Sequence, residues 1–260
     1  LLVQDGMLNR ISFAALQWKY KYLFHYIHLK QLSGSYSLSL KELPMPAKGN
    51  VLLAGGLTYG DAGIDVKNKL FNNTYNWDYL LGTKQEAEKL QQQFAKKGYR
   101  TKLLTGTQFS DTVITSLPTY PFIHIASHGF YVDSIAAKES YTDSWNKEAV
   151  KYEPLFRCGI ALSNANNPDT SINENSRGYL MGFELANLDL RKCYLISLSA
   201  CETGLGDVRN NLGVDGLSRA LKLSGARHLL ISLWKVPDKP TAFFMDQFYQ
   251  HLLAGKSPSV

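Results

Sequence analysis

Two apolar runs in this chain end in side chains that are capable of nucleophilic chemistry. Residues Phe122–Ser127 lead into His128, and residues Tyr194–Ala200 lead into Cys201. Each run is short and closed by a polar, glycine-containing segment, which is typical of a strand buried on both faces of a parallel sheet. Ligands bind at the carboxyl ends of such strands, along one edge of the sheet. The pattern therefore predicts a Cys/His nucleophilic site.

Cys201 is the candidate nucleophile, and its neighbours distinguish it from a thiol packed in the core. They are small or polar residues that cannot fill a core: Ser199, Ala200, Glu202, Thr203 and Gly204. His128 is the candidate general base, and the amide of Gly129 could donate to an oxyanion. The alternative for His128 is a packing residue with satisfied ring nitrogens. Cys158 and Cys193 lie in or beside apolar runs, and we interpret both as structural.

Two further motifs resemble ligand sites without matching them. His124 and His128 have a spacing that binds zinc on a helix, but their segment is predicted to be a strand and holds no glutamate. Residues 55–61 have the glycine spacing of a phosphate loop without the lysine and the serine or threonine that complete one. We therefore expect no metal and no cofactor, and we set aside a nucleotide-binding domain.

The elements that must position these residues alternate between strand and helix. A helix is predicted over residues 84–97, with a capping box at Thr83 and Glu86, a stop at Gly98, and an apolar face formed by Ala87, Leu90 and Phe94. The other predicted elements are an aromatic strand over 22–27, strands over 51–54, 102–104, 159–163 and 228–234, and helices over 110–117, 180–186, 214–223 and 239–254. A hairpin about Asp5 and Gly6 precedes them. This alternation predicts an α/β sandwich around a mostly parallel sheet.

Composition limits the possible function classes. The 260 residues are 45% hydrophobic, enough for a substantial core, and no apolar stretch is long enough to span a membrane. The net charge of +6 comes from scattered lysines, so we expect a solvated surface and no direct contact with nucleic acid. The three cysteines form no C-x-x-C pair, which favours a reducing, cytoplasmic setting. Because the chain starts at Leu1, we expect it to be part of a longer protein.

Three segments together resemble the CHAT domain, a caspase-like peptidase module that is often joined to TPR repeats in bacteria and archaea. They are Ile123–Gly129, which contains H-I-A-S-H-G; Leu198–Gly206, L-S-A-C-E-T-G-L-G; and Gly213–Asp238, which ends in S-L-W-K-V-P-D. Weaker matches are Asp5–Leu16, Leu80–Glu88 and Arg177–Leu190. The resemblance spans essentially the whole chain.

The resemblance implies a caspase-like α/β/α sandwich preceded by a smaller, degenerate N-terminal half. We place that half at residues 1–80 and the catalytic part at residues 81–260. His128 and Cys201 match the catalytic dyad, and the amides of Gly129 and Cys201 would form the oxyanion hole. Residues 233–238 also resemble part of separase that helps to select the residue before the cleaved bond. This likeness makes Asp238, with Glu202, a candidate for substrate binding. The alternative for Asp238 is the N-cap of the last helix.

The function that the resemblance implies is a regulated cysteine endopeptidase in prokaryotic defence or cell-death signalling. Its substrate would be a partner protein, with gasdermin-like and CRISPR-associated proteins as candidates. A TPR-like region or an activator protein would control it, and we expect the enzyme to be cytoplasmic and not bound to membrane. The alternative is a catalytically silent interaction module that has kept the fold.

Overall fold

A computed structural model of the chain describes residues 2–3, 13, 16–27, 31–32, 44–60, 77–131, 153–166, 178–199, 212–232 and 238–258. The chain divides into two units. One comprises Leu1–Met45 together with His251–Val260, and the other comprises Pro46–Gln250. The division into a degenerate half over 1–80 and a catalytic part over 81–260 stays a prediction.

The described part of residues 1–45 contains short strands and a 3-10 helix. The strands form a parallel pair, β1 (Leu2–Val3) with β4 (Gln31–Leu32), and an antiparallel pair, β2 (Gln17–Trp18) with β3 (Lys21–Tyr22). The predicted strand over 22–27 is wrong, because the chain turns into a 3-10 helix at Leu23–His25. Phe24 and Tyr26 are 53% and 47% exposed, so the burial that favours aromatic residues in strands is missing. The hairpin predicted about Asp5 and Gly6 lies outside the described residues.

A five-stranded parallel sheet lies at the centre of the larger unit. Its strands, in spatial order, are β12 (His228–Ile231), β11 (Leu195–Ser199), β7 (Phe122–Ala126), β5 (Asn50–Leu57) and β6 (Arg100–Gly106). A separate antiparallel sheet contains β8 (Gly129–Tyr131), β9 (Cys158–Ala161) and β10 (Tyr179–Met181). The prediction of an α/β fold with a mostly parallel sheet is confirmed. The run predicted as a strand over 159–163 belongs to the antiparallel sheet.

The helices in the described ranges follow the predicted alternation. They are α1 (Thr83–Lys96), α2 (Asp111–Ile114), α3 (Gly182–Ala186), α4 (Leu212–Leu223) and α5 (Asp238–Leu253). The helix predicted over 84–97 is confirmed to within one residue at each end. The helix predicted over 180–186 is shorter, because its first residues extend strand β10. None of the helices in the described ranges is both long and apolar enough to cross a membrane.

The parallel sheet buries a different set of side chains on each face, because successive residues of a strand point in opposite directions. One face carries a continuous apolar core that includes Leu52, Ile123 and Ile196, which lie at the same level of neighbouring strands. On the opposite face Phe94 of α1 packs against Phe122, with ring centroids 5.3 Å apart, and against Tyr249 of α5, at 5.5 Å. Helix α1 therefore covers the face on which residue 122 lies.

The predicted capping box at the start of α1 is wrong. Thr83 is the first helical residue, the N-cap is Gly82, and neither Thr83 nor Glu86 caps the helix. The Thr83 hydroxyl instead accepts a hydrogen bond from the Gly56 amide at 2.9 Å and donates to the Leu80 carbonyl at 2.8 Å. A Cβ on Gly55 would lie 2.4 Å from the Thr83 carbonyl oxygen, so that glycine allows α1 to approach β5 closely. The residues of the capping pattern thus make tertiary contacts.

Candidate active site

His128 lies in the short connection between β7 of the parallel sheet and β8 of the antiparallel one. Its ring is 1% exposed. Two aromatic rings enclose it, with centroids at 5.0 Å for Tyr59 and 5.2 Å for Trp77. The predicted location at the carboxyl end of a buried strand is therefore confirmed, and the ring is held by packing from two other segments of the chain.

A hydrogen bond to the backbone helps to orient the His128 ring. Its Nε2 lies 2.7 Å from the backbone carbonyl oxygen of Asp78. A carbonyl oxygen only accepts, so Nε2 carries the proton that is donated. In the neutral imidazole this leaves Nδ1 as the basic nitrogen. The Asp78 carbonyl thus orients the candidate base, as the third group does in a nucleophile–base–orienter arrangement.

The side chain of Asn166 holds the segment that supplies this carbonyl. Its Oδ1 accepts from the Trp77 amide at 2.8 Å, while its Nδ2 donates to the Trp77 carbonyl at 3.0 Å and to the Gly60 carbonyl at 3.1 Å. Asn166 is 5% exposed. Because Trp77 directly precedes Asp78, these bonds limit the movement of the Asp78 carbonyl that is hydrogen-bonded to His128.

Ser127 connects the wall of the site to the antiparallel sheet. Its hydroxyl donates to the Ala161 carbonyl at 2.6 Å and accepts from the Tyr59 hydroxyl at 2.9 Å. Tyr59 in turn packs on the His128 ring. The residue before the candidate base is thereby bonded on both sides, which restricts the backbone at the end of β7.

The strand that leads to Cys201 lies beside the strand that leads to His128. Strands β11 and β7 are parallel neighbours, and Ser199 pairs with Ala126 at the last level of the pairing. His128 follows Ala126 by two residues, and Cys201 follows Ser199 by two. Cys201 and Glu202 lie outside the described residues. The structure thus places the base and both strand ends, and the pairing of Cys201 with His128 stays a prediction.

The other predicted site residues are placed only in part. Gly129 begins β8 opposite Ile160, and an added Cβ there would make only ordinary contacts, the nearest at 3.5 Å to Leu217. Its role in an oxyanion hole stays a prediction. Asp238 is the first residue of α5, one residue earlier than predicted, and its side chain lies outside the described structure. Whether Asp238 contacts substrate or caps the helix is therefore also untested.

Cys158 and Cys193 are structural thiols, as predicted. Both are buried, at 0% and 1% exposure, and neither is in a disulfide. Burial raises the pKa of each thiol to about 12, which keeps both protonated at neutral pH. Since the thiolate is the nucleophilic form, neither is suited to attack a carbonyl. Of the three cysteines, only Cys201 is left as a candidate nucleophile.

Sequence inspection missed three contributors to this site: Trp77, Asp78 and Asn166. Asp78 acts through its backbone carbonyl, which carries no signal in the residue type. Trp77 and Asn166 lie 89 residues apart, in stretches that the sequence marks only as loops. A tryptophan and an asparagine in polar, irregular segments are the sole signals available, and neither is specific.

The sequence profile of the CHAT domain matches residues 1–260, the whole chain. The chain belongs to the CHAT domain family. This is a caspase-like, peptidase-related family, and the described part of the chain, with its five-stranded parallel sheet between helices, agrees with a caspase-like α/β/α sandwich. No curated protein and no solved structure matches the chain significantly. The profile and the architecture thus establish the family and the fold of this CHAT domain, and neither of them tests its activity.

Proposed function

We propose that this CHAT domain is a cysteine endopeptidase that cleaves a partner protein. Nδ1 of His128 takes the proton of the Cys201 thiol, and the sulfur attacks the carbonyl carbon of the scissile bond. The amides of Gly129 and Cys201 stabilise the oxyanion. The tetrahedral intermediate expels the amine, which takes the proton from His128, and leaves an acyl-enzyme. Water then hydrolyses the thioester with His128 as the base, which restores the thiol.

The observation that carries this proposal is the orientation of His128. Its ring follows the end of β7, the strand that pairs with the one leading to Cys201. Here the bond from Nε2 to the Asp78 carbonyl fixes the proton on one nitrogen and makes the other the base. Asn166 and the rings of Tyr59 and Trp77 hold that arrangement. These contacts supply the kind of support that a preorganised base requires, and they favour this role for His128.

Strand register supports the partner that we assign to this base. Residues 126 and 199 are paired, so the two strands end at the same level of the sheet, each two residues before its candidate catalytic residue in the sequence. Because the buried thiols of Cys158 and Cys193 are excluded as nucleophiles, Cys201 is the one cysteine of the sequence that is left for this role. A Cys/His pair at this edge is therefore the chemistry that the described geometry favours.

The biological setting that we propose follows from the family alone. A protein substrate, gasdermin-like or CRISPR-associated, and control by a TPR-like region or an activator protein fit a protease whose constant activity would harm the cell. Asp238 and Glu202 are the acidic residues that we propose for the selection of a basic residue before the cleaved bond, through charge-assisted hydrogen bonds. We place the enzyme in the cytoplasm.

A peptide electrophile tests the proposal without knowledge of the substrate. The protein is incubated with a set of peptidyl acyloxymethyl ketones that differ in the residue before the ketone, and the modified cysteine is mapped by mass spectrometry. We expect a single adduct on Cys201, formed faster with basic residues at that position. The Cys201→Ala variant should form none, and His128→Ala should react at least about 100-fold more slowly, because base and nucleophile act as one unit.

The matched control is Cys193→Ala, which removes a buried thiol and should leave the rate of adduct formation unchanged. Equal labelling of wild type and His128→Ala would refute the Cys/His pairing. No adduct on Cys201 with any probe, in a protein that is folded by circular dichroism, would favour the alternative of a silent scaffold.

A further inference from the structure

Four polar side chains form a chain of contacts inside the larger unit, away from the candidate dyad. Nε2 of His124 lies 2.9 Å from Oε1 of Glu86, and its Nδ1 lies 2.7 Å from Oγ of Ser197. Oγ of Ser197 is 2.5 Å from the hydroxyl of Tyr249. All four are buried, with exposures of 4%, 1%, 0% and 1% for Glu86, His124, Ser197 and Tyr249. We call them the buried quartet.

Polar contacts link the members of the buried quartet in one continuous chain. The Ser197 hydroxyl is hydrogen-bonded both to the Tyr249 hydroxyl and to Nδ1 of His124, and Nε2 of His124 forms a close polar contact with Oε1 of Glu86. Burial raises the pKa of Tyr249, with the Glu86 charge as a lesser cause, so the phenol keeps its proton. Each member thus has a polar neighbour within the quartet, which lowers the cost of burying it.

The order Ser197, His124, Glu86 is that of a hydrolase triad, but it is not a second active site. A nucleophilic serine must be open to substrate, whereas Ser197 is completely buried beneath α1 and α5. A buried polar network of this kind also adds little stability compared with apolar side chains of similar size. We therefore look for its role in the arrangement of strands and helices that it favours.

The position of the buried quartet shows what that structure is. His124 and Ser197 are direct partners across the β7–β11 pairing. His128 lies four residues beyond His124, and Cys201 lies four residues beyond Ser197. A slip of one residue between two strands turns every side chain to the other face. It would leave the Ser197 hydroxyl among apolar groups and Nδ1 of His124 without its hydrogen-bond partner, so the quartet penalises any other register.

We propose that Glu86, His124, Ser197 and Tyr249 are positioning residues that hold β7 and β11 in the one register that brings the base and the nucleophile together. Glu86 anchors this pair to α1 and Tyr249 anchors it to α5, so the two strands are fixed against the helices as well as against each other. The inference rests on the proposed function, because it concerns how His128 and Cys201 meet.

The test compares two serine-to-alanine variants on the same strand. Ser197→Ala removes the hydroxyl that joins β7 to β11. Ser199→Ala removes a hydroxyl that is equally buried, lies on the same face and is two residues nearer to Cys201, but has no hydrogen-bond partner in the described part of the chain. The rate of Cys201 alkylation by iodoacetamide is measured from pH 5.5 to 9 by mass spectrometry, well below each variant's Tm.

We expect Ser197→Ala to slow alkylation at pH 6 by about 10-fold and to move its pH midpoint upward, because a displaced imidazole no longer stabilises the thiolate. Ser199→Ala should stay within about 2-fold of wild type. Glu86→Gln keeps a polar side chain of the same size beside Nε2 of His124 and should also stay within about 3-fold, whereas Glu86→Leu should match Ser197→Ala. A drop in Tm with unchanged alkylation in Ser197→Ala would overturn the positioning role.

His128→Ala separates this inference from the proposed function. If His128→Ala alkylates as fast as wild type over the whole pH range, the Cys/His pairing itself fails. If His128→Ala is slow while Ser197→Ala and Glu86→Leu are as fast as wild type, the pairing stands and the role of the buried quartet is refuted.

Discussion

Replacement of Asn166 by alanine removes three hydrogen bonds that hold the backbone on which His128 depends. The side chain bonds both backbone groups of Trp77 and the carbonyl of Gly60. At about 1 kcal/mol net for each bond, the loss should be about 3 kcal/mol in the free energy of unfolding. The Trp77 amide and carbonyl are buried and would lose these partners, so the value should not be smaller.

The Asn166→Asp variant tests whether hydrogen bonding or volume is the cause. Aspartate has the size of asparagine, but it would place a carboxylate oxygen where Nδ2 now donates to two carbonyl oxygens. At pH 7 we expect Asn166→Asp to be at least as destabilised as Asn166→Ala. If packing were the cause, aspartate would restore most of the stability. Urea unfolding of the three proteins, followed by fluorescence, measures the difference.

The same variants should disturb His128. With Trp77 no longer held, the Asp78 carbonyl should shift and the preference for a proton on Nε2 should weaken. Long-range nitrogen–proton NMR spectra of the imidazole distinguish the two tautomers, and the rate of Cys201 alkylation should fall by about 10-fold or more. Asn166→Ala with less than about 1 kcal/mol lost, and with the His128 tautomer unchanged, would refute this account of the site.

Three other predictions concern the scaffold. Gly216→Ala should lower stability by about 1–3 kcal/mol, because its Cβ would lie 2.7 Å from Sγ of Cys158; thermal unfolding should show partial rescue by Cys158→Ala. The contribution of the buried thiols of Cys158 and Cys193 to the free energy of unfolding should be fully present below pH 9. It should fall as pH rises toward 12, because the folded protein keeps thiol protons that the unfolded chain releases near pH 9. Urea unfolding at pH 8 and 10.5 should show a smaller fall for Cys193→Ala than for wild type. Thr83→Val should lose about 2 kcal/mol with its two hydrogen bonds, including the one to Gly56, whereas Thr83→Ser should lose little in the same assay.

Residues of the parallel sheet could be located from the sequence because their pattern is local. A short apolar run closed by glycine and polar residues predicts a strand buried on both faces, as at Phe122–Ala126 and Leu195–Ser199. The periodicity of Ala87, Leu90 and Phe94 likewise predicts α1, since all three must be buried on one side. Such signals depend only on neighbours within a few residues along the chain, so they can be read directly from the sequence.

Predictions from the sequence were wrong where the same residues fit two different local structures. Thr83 and Glu86 have the spacing of a capping box, but the close approach of α1 to the sheet directs Thr83 to the Gly56 amide and Glu86 to His124. Tyr22–Ile27 has the composition of a strand, but residues 23–25 form a 3-10 helix. Local propensity is about 1 kcal/mol or less per residue, so tertiary contacts of similar size override it at Thr83 and Glu86. At residues 22–27 the aromatic side chains are exposed and lack the burial that favours a strand.

The sequence by itself determined the α/β architecture, the strand ends that carry His128 and lead to Cys201, and the family to which the chain belongs. Only the tertiary structure decided which nitrogen of His128 is basic, because the Asp78 carbonyl that settles it comes from 50 residues away. It also decided that His124 belongs to a buried quartet with partners from three other elements. A hydrogen bond depends on distance and angle in space, and the chain order does not encode either for residues that are far apart.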